Sequence, residues 1–159
     1  MKRTVLLGVV VALCHSAVAF AQAPAVSPIR RVAQVTIVVK DQDEALKFYV
    51  EKLGFEKRQD LTFGGERWLT VAPSGQKDLE IVLEAPIATM GEARKVQLAE
   101  QIGKAPSWVF DTADCKAAYD LLKSRGVVFE TEPKAYPWGT QAVFRDLYGN
   151  SFALVQRGK

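Results

Sequence analysis

An α+β fold of two βαβββ modules is what the order of elements in this 159-residue chain predicts. Three observations carry the prediction. Short apolar and β-branched runs alternate with Gly- and Pro-containing turns. Two helical patterns each stop at a glycine, Gly54 and Gly126, 72 residues apart. Each pattern has one strand before it and three after it. In such a unit the helix covers one sheet face and leaves the other bare, so two units are expected to curl their bare faces into a cup of the kind that takes ligands.

The chain opens with Lys2 and Arg3, an apolar run from Val5 to Leu13, and small residues around Ala19-Phe20-Ala21. That order predicts a secretory signal over 1–21, cut after Ala21, and hence a periplasmic or secreted product. The apolar run is too short for a membrane span of about 20 residues, so no stable span is expected after cleavage. A flexible lead over 22–30, with Pro24 and Pro28, precedes a single domain over 31–157.

The first module, 31–86, begins with a strand at Ala33–Val39. Asp41, with Glu44 three residues on, forms a capping-box-like helix start. Ala45, Phe48, Tyr49 and Leu53 then recur at helical spacing up to Gly54, which supplies a left-handed stop. Phe55–Phe63, a turn at Gly64-Gly65, Arg67–Ala72, a turn at Pro73-Ser74-Gly75, and Leu79–Leu83 complete the unit. A linker helix over 89–103 is predicted from a second capping box, Thr89 with Glu92, and from Met90, Ala93, Val96 and Ile102. The second module, 105–157, repeats the order: Ser107–Asp111, a helix with Ala118, Leu121 and Leu122 on one face, then Val127–Glu130, Thr140–Arg145 and Ser151–Gln156. Tyr49 and Leu121 are the expected core anchors of the two helices.

Composition excludes several chemistries. The only histidine, His15, and one of the two cysteines, Cys14, fall inside the signal. The product therefore lacks histidine and carries a lone Cys115, which can form no internal disulfide and has no imidazole to activate it. Loss of Lys2 and Arg3 lowers the formal charge of +3 by two, which argues against a nucleic-acid partner.

The run VTIVVKDQDEALKFYVEKLGF resembles the opening of the vicinal oxygen chelate superfamily, which includes glyoxalase I, bleomycin-resistance proteins, fosfomycin-resistance enzymes and extradiol dioxygenases. The tail FRDLYGNSFALVQ is similar to its closing hairpin, usually D-P-x-G-N, with Leu147 here in the proline place. The resemblance covers about residues 31–157. It implies a U-shaped mixed sheet, often assembled as a homodimer. It also places the metal ligands of metal-using members at Gln34, Glu80, Ser107 and Ala153. One carboxylate out of four positions is too little for a transition ion, which wants about three strong ligands. No metal and no cofactor are therefore expected, although Asp111, Glu84 or Glu66 could build an oxygen-rich site for Mn²⁺ or Mg²⁺.

The residues read as ligand-binding are Gln34, Trp68, Glu80, Ser107, Trp138 and Arg145. Glu80 is the best catalytic candidate, as a carboxylate at the bottom of the cup that accepts hydrogen bonds or acts as a base; its alternative is a strand residue paired with an arginine or with Gln34. Trp68 and Trp138 suit the wall and rim of an aromatic site, while Trp108 divides evenly between core and pocket. Arg67 and Arg145 could hold an anion by a two-pronged contact, or lie on the wet face. The reading is an exported, metal-independent protein that binds a small hydrophobic or aromatic molecule. Two alternatives stand beside it: a metal-dependent lyase, isomerase or dioxygenase-like enzyme, and a structural module for a protein partner.

Overall fold

The computed structural model describes residues 27–158. The expected signal, its cleavage point after Ala21, His15, Cys14 and most of the lead lie outside the described residues. From residue 31 the elements are β1 (Gln34–Val38), α1 (Gln42–Lys47), β2 (Phe55–Phe63), β3 (Glu66–Pro73), β4 (Glu80–Glu84), α2 (Glu92–Ala99), β5 (Val109–Asp111), α3 (Cys115–Ser124), β6 (Val128–Tyr136), β7 (Gly139–Arg145) and β8 (Ser151–Arg157). They form two four-stranded sheets in the orders β1-β4-β3-β2 and β5-β8-β7-β6. In both, the first strand lies parallel to the last and the other pairs are antiparallel. The α+β class and the duplicated βαβββ plan are as the sequence predicts. Among the described residues no helix is long and apolar enough to cross a membrane.

Local chemistry explains the helix ends. The Asp41 carboxylate accepts from the backbone N–H groups of Asp43 and Glu44 at 2.8 and 2.9 Å, and Asp114 caps α3 through the N–H of Ala117 at 2.9 Å. Each cap satisfies N–H groups that the first helical turn leaves orphaned. Gly54 and Gly126 close the helical segments at φ +77° and +79°, where a side chain would be strained.

Three local expectations are corrected. The helix after Asp41 is α-helical only to Lys47 and widens into a single π-type turn over Phe48–Lys52. Thr89 does not cap the linker helix: it sits in a 3₁₀ turn at Ala88–Met90, α2 starts after Gly91 without a side-chain cap, and the Thr89 hydroxyl faces Glu66 at 3.5 Å. The third correction is that β6 runs on to Tyr136, past Pro133. Proline is tolerated there because β6 is an edge strand whose pairing with β7 skips between Thr131 and Lys134.

One core serves both modules. Ile37, Val39, Leu69, Val71, Ile81 and Leu83 of the first sheet cluster with Ala142, Phe144, Phe152 and Leu154 of the second, and with Ala45, Phe48, Tyr49, Cys115 and Tyr119 from the helical segments. Phe55 meets Phe110 across the module boundary at a centroid distance of 5.6 Å. Trp108 packs on Phe152 at 5.8 Å and belongs to this core side. Leu121, expected as a core anchor, is 50% exposed. It lies at the edge of an apolar crevice between Leu53 and Phe110, because the face of α3 that is buried carries Cys115 and Tyr119.

Because the helix-covered faces of both sheets share this core, their other faces are directed outward and away from each other. The cup expected between the two bare faces is therefore not closed within one chain.

Candidate functional site

The bare face of the first sheet follows from strand alternation. The residues opposite to Ile37, Leu69 and Leu83 are Gln34 and Thr36 on β1, Glu80, Val82 and Glu84 on β4, Trp68 and Thr70 on β3, and Gln59, Leu61 and Phe63 on β2. Leu61, Phe63 and Trp68 are 47, 64 and 39% exposed. Thr36, Phe63, Trp68, Val82, Glu84 and Met90 surround a cleft of about 180 Å³, which is below the roughly 300–1,000 Å³ of complete small-molecule sites.

Gln34 and Glu80 are register partners in the parallel β1–β4 pair. The Gln34 carboxamide donates to Glu80 Oε2 at 3.3 Å, and the Gln59 carboxamide donates to the same oxygen at 2.9 Å. Glu80 is half-buried. Gln59 did not figure among the sequence candidates. The signal that could have found it is its two-residue spacing from Leu61 and Phe63, but the pairing of β2 with β3 slips between Lys57 and Gln59, so alternation counted from Phe55 gives the wrong face.

The remaining candidates lie on the other module. Ser107 is exposed just ahead of β5. Arg145, at the end of β7, donates through Nε to Glu130; its register partner Val128 on β6 is 65% exposed, and Val109, two strands away on β5, is 59% exposed. Trp138 occupies the β6–β7 turn and is half exposed; its ring stacks on Tyr136 at 4.9 Å with an interplanar angle of 3°. The structure thus brings Gln34 and Glu80 together, sets Trp68 on the same face, and leaves Ser107, Trp138 and Arg145 on the second module.

Arg67 does not offer a free anion clamp. It grips Asp60 with two nitrogens, at 2.7 and 3.0 Å, and Asp43 of α1 with a third, at 2.7 Å. Those hydrogen bonds, with a further one from Lys57, hold the Asp60 carboxyl well below the usual carboxylate range. Burial pushes the Cys115 thiol up, and the residue is fully enclosed, which suits a core role rather than a nucleophile.

The D-L-Y-G-N turn between β7 and β8 couples the modules. Buried Asp146 accepts from the Tyr49 hydroxyl at 2.8 Å, from the Asn150 side chain at 2.8 Å, and from the backbone N–H groups of Tyr148 and Asn150, each at 2.9 Å. Burial, then the Asp146 charge and hydrogen bond, raise the Tyr49 phenol well above its ordinary range. Asn150 accepts from the Ala105 N–H at 2.8 Å, and the Tyr148 hydroxyl exchanges hydrogen bonds with the backbone of Asp41. Both halves of the signature that the sequence carries therefore meet at Tyr49 and Asp146.

The donor set at the four motif positions does not fit a transition ion. Ala153 has no donor, Ser107 and Gln34 are weak ones, and Glu80 is already bonded by two carboxamides. Of the other acids, Glu84 pairs with Arg94 at 3.3 Å, Asp111 pairs with Arg157 at 3.4 Å, and Glu66 faces Thr89. Among the described residues no three His, Cys, Asp or Glu side chains converge.

Comparison with known proteins agrees with this architecture. The crystal structure of UcmS2 superposes with a TM-score of 0.72 at 42% identity, covering 80% of this chain and 98% of that one. TnmS3, an antibiotic binding protein from Streptomyces sp. CB03234, gives 0.68 at 35% identity, with 83% and 99% covered. YurT, an uncharacterized protein of Bacillus subtilis, is 40% identical over 131 residues, which span 80% of this chain and 99% of YurT. The family model for the Glyoxalase/Bleomycin resistance protein/Dioxygenase superfamily matches residues 31–154, and the chain belongs to that superfamily.

Proposed function

We propose that this protein is exported, binds a small hydrophobic or aromatic molecule without a metal, and completes its site with a second copy of itself. The observation that carries the reading is the bare first sheet. It exposes Trp68, Leu61 and Phe63 around a cleft too small to enclose a ligand by itself. Large rings left bare on a sheet bury the most area when a planar molecule or another surface covers them. The second sheet leaves Val109 and Val128 equally bare, and the two faces of one chain cannot meet. A homodimer that places the first face of one copy against the second face of the other would supply both walls. The printed description of TnmS3 as an antibiotic binding protein supports the ligand class.

Titration of the full chain with planar aromatic antibiotics, followed by tryptophan fluorescence, is expected to give saturable quenching that Trp68→Ala removes. A flat response across the panel would overturn the reading. Sedimentation should show a dimer that Val109→Lys dissociates while the fold persists. A stoichiometric divalent ion in protein purified without chelator, lost in Glu80→Ala, would refute metal independence. Export predicts a periplasmic or secreted product that begins at Gln22, checked by intact mass.

A further inference from the structure

We infer that Gln34, Glu80 and Gln59 form the polar anchor of the site and select ligands that bring a hydrogen-bond donor, above all a protonated amine. The inference rests on the binding role proposed above and adds the chemistry of the ligand. An ionised carboxylate has no proton to give, so each carboxamide must turn its NH₂ group toward Glu80. Both do, onto Oε2 alone. What the cluster presents outward is then acceptors: Oε1 of Glu80 and the carbonyl oxygens of Gln34 and Gln59. None of these three oxygens takes part in a hydrogen bond among the described residues.

The charge of Glu80 is also unmatched. The ion pairs of the described residues leave it without a lysine or arginine, although it is half-buried. A carboxylate held that way by neutral donors keeps its attraction for a cation brought from outside. Its position suits a ligand. Gln34 and Glu80 lie two residues along their strands from Thr36 and Val82, which line the cleft under Trp68. Two strand residues span about 6.6 Å, so one planar molecule can stack on Trp68 and reach the anchor. The net charge of the chain is positive, so a preference for cations cannot come from the bulk field and must be local.

The test uses two three-ring aromatic probes of similar size, 9-aminoacridine, a cation with N–H donors, and anthracene-9-carboxylate, an anion with acceptors only. Calorimetric titration of the full-length protein is expected to favour 9-aminoacridine by about tenfold or more, the scale of one hydrogen bond to a charged group. The near-isosteric Glu80→Gln should reduce the preference to less than about threefold, both by weakening binding of the cation and by relieving the repulsion between Glu80 and the carboxylate probe. A far-ultraviolet circular dichroism spectrum and a urea unfolding curve of Glu80→Gln that match those of the unsubstituted protein separate loss of the anchor from loss of the fold. Equal binding of both probes, or a preference that survives Glu80→Gln, would overturn the anchor and leave the aromatic site standing. Failure of both probes to bind would overturn the two together.

Discussion

The two modules share one plan and use it differently. In the first, the helical tyrosine, Tyr49, is fully buried and reaches across the module boundary to Asp146. In the second, the helical tyrosine, Tyr119, stays within its own module, where it donates to Glu132 at 3.2 Å and accepts from Lys123 at 2.6 Å near the surface. The bare faces differ as well: the first carries aromatic rings and the Gln34–Glu80–Gln59 cluster, the second valines and an arginine already paired with Glu130. Duplication gave two equal frames. One frame supplies the clasp and the polar chemistry, and the other supplies the turn that receives the clasp and an apolar wall.

That contrast can be broken at its strongest point first. Asp146→Ala strands four donors, three of them buried, and is expected to cost about 3–5 kcal/mol in urea unfolding, the range of a broken buried network. A loss of under about 1 kcal/mol would show that the clasp is incidental. Gly126→Val forces a β-branched side chain to φ +79° and should cost about 1–3 kcal/mol. Lys52, whose Nζ lies 3.4 Å from where the new Cβ would sit, can swing aside, so the strain is in the backbone.

Tyr49→Phe should cost about 1–3 kcal/mol, because it removes a buried bond to a carboxylate. Tyr119→Phe, whose partners are exposed, should stay within about 0.5 kcal/mol. Equal effects of the two would erase the asymmetry. Tyr49 also gives a pH signature. The Tyr49 phenol is held above its ordinary range by burial and by Asp146, so the folded state keeps a proton that the unfolded chain releases above about pH 10. Stability from this group is complete below that pH and is lost as pH rises further. Tyr49→Phe should flatten the alkaline limb of the stability curve, and an unchanged limb would remove this role for the Tyr49 proton.

A small effect is also expected at Leu121. Half exposed at the edge of the inter-module crevice, its replacement by alanine should cost no more than about 1 kcal/mol, against about 2–5 for Tyr49→Ala in the core. A large loss at Leu121 would mean that the crevice is covered in solution.

Much of this frame was legible in the residues themselves. The glycine stops, the Asp41 cap and the eight strands follow from local propensity and period, which act over a few neighbours and so are written in a few letters. The misreadings share a cause. Thr89 met the capping pattern but is drawn to Glu66 by the packing of the linker. Gln59 was missed because the slip after Lys57 changes the phase of β2. Leu121 has helical spacing, yet which face of α3 is buried depends on where the other module lies.

The sequence by itself determined the duplicated α+β modules, the histidine-poor and cysteine-poor chemistry of the chain, and the family signature at Tyr49 and at the D-L-Y-G-N turn, since each is a matter of composition or short spacing. Only the tertiary structure decided that the helix-covered faces pack together, that the bare faces look apart, and that two glutamines converge on Glu80 from separate strands. Those outcomes depend on contacts between residues tens of positions apart, where burial of apolar area and the pairing of half-buried polar groups are settled for the whole chain at once.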